Sequence, residues 1–478
     1  MRRIPLFLVL LLAAGCVAPS RPNVVFILAD QWRGQALGFL GEERVQTPNL
    51  DRLSTESLVL TQAVSNYPVC SPFRAMWMSG QFPFKNGVYS NANSRTTPHG
   101  CELKKTTRCW SDVLSDRGYS LAYIGKWHLE SPREPFVESY NNKPEFAWNE
   151  WTPPDRRHGF SFWHAYNTFD RHLKPEYWET DMSRADRLKV DKWGPEHEAD
   201  VAIRYLQNKS GEERVPGQPF ALVVSMNPPH MPYRHVPKRY VQRYAEISNA
   251  DLIGDRPDLL PAKSRWGRYT RNNLRYQYAM MTGVDAQIGR ILETLDRLGL
   301  KDDTIVVFTS DHGDCLGFHG QISKNNHYEL SMRVPLLIRW PGEITARHDA
   351  LLLSTPDLYP TLLGLMGLSG DVPPEVEGTD YAGLFRTGKG RRPTAQLYMY
   401  APPGDITTGR RGVRTKRYTF VVERDVTGSE TTVLRDREDD PFQMRNCAAK
   451  HPKVVAELRA TLDSLLRRIG DPWLATRK

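Results

Sequence analysis

The sequence predicts an α/β fold, with a largely parallel central sheet flanked by helices and a smaller C-terminal α+β domain that contains a short antiparallel sheet. Three observations lead there. Short apolar runs without polar alternation are interleaved with segments of helical periodicity, as buried parallel strands and their crossover helices require. The first four of these runs each end in a cluster of acids, histidines, amides or lysine. After residue 375 the pattern turns to short strands in succession, closed by one amphipathic helix.

Taken in order, the chain opens with Arg2 and Arg3, an apolar run over 4–14, and then Gly15-Cys16. That run is shorter than the roughly 20 residues that span a bilayer, so residues 1–20 read as an export signal rather than a permanent anchor. Ala13-Ala14-Gly15-Cys16 has the form of a lipoprotein processing box, which would leave Cys16 lipidated; plain secretion is the alternative. The expected location is periplasmic, or lipid-anchored at the cell envelope. Residues 21–375 follow as the main domain. Apolar runs at 24–29, 121–124, 220–225, 305–310 and 335–338 are its expected parallel strands. Thr47-Pro48 places a cap and a first-turn proline at the start of one helix, and residues 106–116, ahead of Gly118, make a second. Met280, Val284, Ile288, Ile291, Leu295 and Leu298 mark a long amphipathic third. Residues 136–193 are rich in Trp, Tyr, Pro and charge but weak in periodicity, and read as a long insertion beside the functional edge. In 376–478, strands are expected at 396–400, 418–423 and 431–434, with a helix through Val454, Leu458, Leu462, Leu465 and Leu466.

Bulk properties exclude several classes. With 478 residues, 40% hydrophobic and 25% charged, the composition is neither disordered nor membrane-embedded. A formal charge of +9 without a nucleic-acid motif favours, in an exported protein, a polyanionic substrate over nucleic acid. Beyond Cys16 the cysteines are odd in number and form no disulfide framework. Cys101 and Cys109 are near enough in sequence for a local bridge, and Cys315 and Cys447 read as buried thiols.

In a parallel sheet, functional groups collect beyond the carboxyl ends of the strands. The four strand ends here carry Asp30-Gln31, Gly125-Lys126-Trp127-His128, Asn227-Pro228-Pro229-His230 and Asp311-His312-Gly313-Asp314, which points to one shared site. Cys70-Ser71-Pro72-Phe73-Arg74 adds a further element. Pro72 suits the first turn of a helix through Ala75, Met76 and Met78, which puts Cys70 at the positive helix end, where an anion is stabilised. On the residues alone, Cys70 is open between a buried thiol, a thiolate nucleophile and a modified side chain.

Cys70-x-Pro72-x-Arg74 followed by Ser79-Gly80 resembles the formylglycine motif of the type I sulfatases, in the alkaline-phosphatase-like superfamily. The resemblance continues in order through residues 23–31, Thr47-Pro48-Asn49-Leu50-Asp51-Arg52-Leu53, the Gly125 and Ser310-Asp311 clusters, Lys324, Tyr328-Glu329, Arg333-Val334-Pro335 and Asp440-Pro441 through Asn446, where Gln443 and Cys447 depart from the usual residues. It implies a sulfuric ester hydrolase. Cys70 would be converted by a formylglycine-generating or sulfatase-maturing enzyme to formylglycine (3-oxoalanine), whose hydrate attacks sulfur, with Arg74 stabilising it. Lys126 and Lys324 would hold the sulfate oxygens, and His128 and His230 are the general-acid candidates. Asp30, Gln31, Asp311 and His312, with modified Cys70, match the metal positions, and the resemblance implies Ca2+. Many relatives carry a second acid at the position of Gln31 and an amide at that of His312, so this site has fewer negative charges. Asp314, His319 and His327 would orient ligands or satisfy loop backbone.

The basic balance and the aromatic insertion fit a sulfated carbohydrate of polysaccharide or glycosaminoglycan type. Trp148, Trp151, Trp163, Tyr166 and Trp178 either line the pocket mouth or pack a satellite core. A phosphonate or phosphate ester hydrolase of the same superfamily and an unmodified calcium-stabilised glycan binder are the alternative readings.

Overall fold

The computed structural model describes residues 21–475, so the export signal and Cys16 lie outside the described residues. One large sheet takes ten strands: β1 (Asn23–Ala29), β2 (Leu58–Leu60), β3 (Ser120–Lys126), β4 (Phe162–Tyr166), β5 (Glu176–Glu179), β6 (Leu188–Lys189), β7 (Phe220–Met226), β8 (Thr304–Ser310), β9 (Leu336–Arg339) and β10 (Arg347–Asp349). Their spatial order is β10-β2-β9-β8-β1-β7-β3-β4-β5-β6. The run β8-β1-β7-β3-β4 is continuously parallel. The 335–338 segment is a correction: β9 is a strand, but it runs antiparallel to both β8 and β2.

Alternate side chains of these strands enter two different cores, as the two-residue period of a strand dictates. Val24, Phe26, Leu28, Tyr123 and Val223 pack on one face with helix α2 (Cys70–Ser79) and helix α3 (Trp110–Asp116). Val25, Ile27, Ile124, Val224 and Phe308 pack on the other with α1 (Pro48–Thr55), α4 (Gly194–Gln207) and α5 (Arg265–Arg297). The predicted stripe Met280, Val284, Ile288, Ile291 and Leu295 is fully buried there, whereas Leu298, past the end of the helix, is exposed. Thr47 occupies the cap position of α1 without capping the backbone; its hydroxyl instead donates to Asp51 at 2.8 Å.

The C-terminal part forms a four-stranded antiparallel sheet, β11 (Gln396–Tyr400), β12 (Gly409–Arg414), β13 (Tyr418–Arg424) and β14 (Glu430–Asp436), with helix α6 (Pro452–Arg468) packed on it through Leu458, Leu462 and Leu466. Met76 of α2 and Tyr67 join that core, so α2 lies between the two sheets. Within 136–193, β4 and β5 extend the main sheet, and Trp163, Tyr166 and Trp178 are buried in it or in a satellite cluster. Cys101 and Cys109 are free buried thiols, and Cys447 is only half-buried.

Candidate active site

The register of the parallel block sets the site. Ala29 lies opposite both Met226 and Ser310, and Gly125 opposite Ser225, so Asp30, Asn227, Asp311 and Lys126 emerge side by side from adjacent strand ends. Two glycines permit the close approach. At Gly125 a Cβ would stand 2.1 Å from the Ser225 carbonyl oxygen, and at Gly313 2.0 Å from that of Leu330. Opposite the strand ends, α2 begins at Cys70, and every one of its residues is buried.

These elements place Cys70 Sγ 3.3 Å from His312 Nε2, 3.2 Å from Lys324 Nζ, 3.8 Å from Asp30 Oδ1 and 3.9 Å from Lys126 Nζ. Arg74, one turn along α2, sends Nε and Nη2 to Asp311 Oδ2 at 3.2 and 3.1 Å and Nη2 to Asp30 Oδ2 at 3.1 Å. Its Nη1 donates to the Lys126 carbonyl and to Ser225 Oγ. Lys126 Nζ is 2.7 Å from Asp30 Oδ2 and donates to Asn227 Oδ1 at 3.1 Å.

Charge is distributed unevenly over this buried cluster. Burial raises the Asp30 carboxyl, but Lys126, His230 and Lys324 outweigh it and hold it well below the usual carboxylate range. Burial and the Asp30 charge push Asp311 up to about 7, against the pull of Arg74. Burial and Asp30 likewise push the Cys70 thiol up to about 11, so it is protonated at neutral pH and a poor nucleophile as it stands. His312 is pushed well below its ordinary value by burial and Lys324, and its Nδ1 donates to the Gly313 carbonyl at 2.8 Å. Its Nε2 therefore carries a lone pair, 3.5 Å from Asp311 Oδ1 and 3.7 Å from Asp30 Oδ1.

Asp30, Cys70, Asp311 and His312 thus bring ligand atoms within 4.8 Å of one another, all buried. Two acids, an imidazole and the Cys70 position, with paired carboxylates that repel each other, suit a divalent cation. Gln31, in the left-handed region at φ 67°, is held by its amide nitrogen, which donates to Tyr233 and Asp314 at 3.1 Å each. Its oxygen consequently turns to Lys324 Nζ, 3.2 Å away. Asp314 acts on the site through Gln31. His319 and His327 do not: His319 pairs with Asp258 at 3.3 Å and stacks on Tyr328, which His327 also stacks against.

His128 is buried at φ 55° with neither ring nitrogen hydrogen-bonded, and burial with Lys126 pushes it well below its ordinary value. A neutral imidazole with two unmet polar atoms at this edge suits a polar substrate. Trp148 stands edge-on to it with ring centroids 6.0 Å apart, and Phe146 and Arg95 continue outward from Trp148. His230 makes its Nδ1 contact with the Met231 carbonyl at 2.8 Å. Asp30, Gln31, Cys70, Arg74, Lys126, Asp311, His312 and Lys324 are thus in mutual contact at one strand edge, with His128 and His230 beside them, whereas His319 and His327 stand apart. The sequence reading left out Asn227 and Ser225 as individual site residues and Asp170 altogether. Asn227 had a signal, as the first residue after an apolar run; Asp170 lies in an aperiodic segment and had none.

Comparison with known proteins agrees with this geometry. The sulfatase family model matches residues 22–368, and the model for the C-terminal part of N-sulphoglucosamine sulphohydrolase matches 317–469. An endo-4-O-sulfatase of Bacteroides thetaiotaomicron is 37% identical, covering 98% of this chain and 97% of its own. An ulvan-active sulfatase of Formosa agariphila is 33% identical over 95% of this chain and 83% of its own. The crystal structure of yidJ from Bacteroides fragilis superposes with a TM-score of 0.92 at 46% identity, covering 95% of this chain and 97% of that one. The chain belongs to the sulfatase family, within the alkaline-phosphatase-like superfamily, and is a sulfatase. Membership implies a formylglycine and a metal ion, and the Cys70 position and the Asp30–Asp311–His312 cluster are suited to both.

Proposed function

We propose that this sulfatase removes sulfate from a sulfated carbohydrate, with Cys70 converted to formylglycine as the nucleophile and Ca2+ held by Asp30, Asp311, His312 and the Gln31 amide oxygen. The observation that carries it is Cys70 itself: a protonated, buried thiol at a helix N-terminus, within 4 Å of two lysines and beside paired carboxylates. That setting wastes a thiol but serves an anionic ester. Formylglycine at the Cys70 position would supply a hydrated aldehyde as the nucleophile toward sulfur. Calcium held by these residues would supply positive charge for an anionic ester, and oxygen donors outnumber the one imidazole, as a hard cation prefers.

The chain's own residues do the rest. Arg74 spans both carboxylates and fixes them towards the cation position. Lys126 and Lys324 carry positive charge to the Cys70 position and neutralise the sulfuryl oxygens as charge develops. His128 is held neutral and donates a hydrogen bond, and His230 gives the proton to the leaving alcohol. The aromatic wall is narrower than the composition suggested. Trp163, Tyr166 and Trp178 are core residues, Trp151 packs half-buried on the satellite cluster, and Trp148 beside His128 is the sugar platform.

Two sulfated-glycan enzymes among the relatives support the substrate class. Maturation by a formylglycine-generating or sulfatase-maturing enzyme, and export to the periplasm or to a lipid anchor through Cys16, belong to the same proposal. The test is desulfation of defined sulfated mono- and oligosaccharides by the matured enzyme, with a phosphonate monoester as comparison. Sulfate release from at least one sugar, faster than phosphonate cleavage, is expected; the reverse preference would replace this reading with a phosphonate hydrolase.

A further inference from the structure

The loop after β4 brings Asp170 against the sulfate-binding edge. Its Oδ2 accepts from Asn141 Nδ2 at 2.7 Å, and its Oδ1 accepts from Asn227 Nδ2 at 3.1 Å and lies 3.4 Å from His230 Nδ1. Its backbone is also tied, the amide to Asn141 Oδ1 at 2.8 Å and the carbonyl to His235 Nδ1 at 3.0 Å. Burial would raise this carboxyl, but His230, Lys126 and His172 outweigh it, so it is an anion. Both carboxylate oxygens are used as acceptors, which no amide or hydroxyl could copy on both sides.

Two groups of the site hang on those contacts. Asn227 turns its NH2 to Asp170 and, at 2.9 Å, to the Phe169 carbonyl, so its oxygen faces Lys126 Nζ, which in turn touches Asp30 and approaches Cys70. At His230 the Nδ1 position is bounded by two acceptors, the Met231 carbonyl and Asp170, and His172 Nε2 donates to the His230 carbonyl at 2.9 Å. The ring therefore keeps its proton on Nδ1 when neutral, and Nε2 is the nitrogen left for substrate.

We propose that Asp170 is a positioning residue of this active site, which fixes the tautomer and angle of His230. This rests on the sulfatase reading with His230 as proton donor. As the bond from sulfur to the ester oxygen breaks, its electron pair stays on that oxygen and the His230 Nε2 proton joins it. Asp170 stabilises the imidazolium that exists before the transfer. The demand is greatest for a sugar alkoxide and small for an activated phenolate, which leaves without a proton.

The experiment uses matured full-length enzyme with D170N, D170A, H230A and D170N/H230A, assayed on a sulfated sugar that the wild type desulfates and on 4-nitrophenyl sulfate. D170N should lower kcat on the sugar by about 10²-fold with KM changed by less than about fivefold, since loss of a general acid's orienting partner acts on the chemical step. On 4-nitrophenyl sulfate it should cost less than about tenfold, and in the H230A background less than about threefold. Independently of turnover, nitrogen-15 spectra should show His230 as the Nδ1–H tautomer in the wild type and mixed in D170N. Equal losses on both substrates with a lowered melting temperature, or a full additional loss in the H230A background, would make Asp170 merely structural and overturn the proposal. A matured wild type that desulfates neither 4-nitrophenyl sulfate nor any sugar of the panel would instead refute the proposed mechanism, while the tautomer measurement would still decide the role of Asp170.

Discussion

Arg74→Ala is the substitution whose cost the structure defines best. The guanidinium is fully buried and donates to Asp311 twice, to Asp30, to the Lys126 carbonyl and to Ser225. Asp30 would keep Lys126 at 2.7 Å, but Asp311 would retain only the Gln31 backbone N–H at 3.1 Å and a neutral His312. Removing one partner of such a buried pair costs about 3–5 kcal/mol, because its acceptors lose their donor and Asp311, already raised to about 7, is driven to its protonated form. A chain of this length unfolds with an entropy of about 1 kcal/mol per kelvin, so the apparent melting midpoint in chelator should fall by about 3–5 °C. Calcium should narrow that gap, since the cation compensates the same carboxylates. Arg74→Lys should recover only part of it, as one ammonium cannot reach all four acceptors. Differential scanning fluorimetry in chelator and in calcium measures this directly. A midpoint within about 1 °C of wild type in chelator would show that Arg74 is not the counter-charge of the pair.

Other consequences follow from separate parts of the molecule. Cys70→Ala should keep the fold and lose at least about 10⁴-fold in rate, and normal turnover would remove the mechanism. Trp148→Ala should weaken oligosaccharide turnover by about 1–2 kcal/mol in transition-state terms and leave a small aryl sulfate nearly unchanged, since only the sugar would stack on it; equal effects on both would make it structural. Glu198, buried beneath Gly125 with Tyr166 and Tyr177 donating to Oε1, is pushed by burial up to about 8. The folded state then binds a proton that the unfolded state has released, so stability is highest below about pH 4.5 for this group and falls as pH rises towards 8, by about 1.4 kcal/mol per unit at most. Glu198→Gln should flatten that decline in chemical unfolding between pH 5 and 8, and an unchanged slope would contradict the assignment.

Strands buried on both faces announce themselves as apolar runs, which is why β1, β3, β7 and β8 and the polar clusters at their ends were legible. Strand direction is not written in composition, so β9 was expected parallel. β12 was missed for a different reason. Its buried side chains include Arg411 and Arg414, on opposite faces, each paired with an acid far away in sequence, Asp471 at 2.7 Å and Glu329 at 2.6 Å. An apolar criterion does not see a strand in which two of the four buried positions are arginines held in ion pairs. The insertion hid β4 and β5 because its aromatics serve two cores and follow no single period. Asp170 was invisible because its importance comes from Asn141, Asn227 and His230, three residues from separate segments that only the fold brings together.

The central claim is that Cys70 acts only after conversion to an aldehyde. Mass spectrometry of the peptide containing Cys70, run on enzyme prepared with graded amounts of a maturing activity and paired with desulfation rates on one sugar sulfate, tests it. Replacing the thiol by an aldehyde lowers the peptide mass by about 18 Da. The account predicts that kcat rises in proportion to the lighter fraction and vanishes when all of Cys70 is a thiol. Full turnover by enzyme whose Cys70 is entirely unmodified would contradict it.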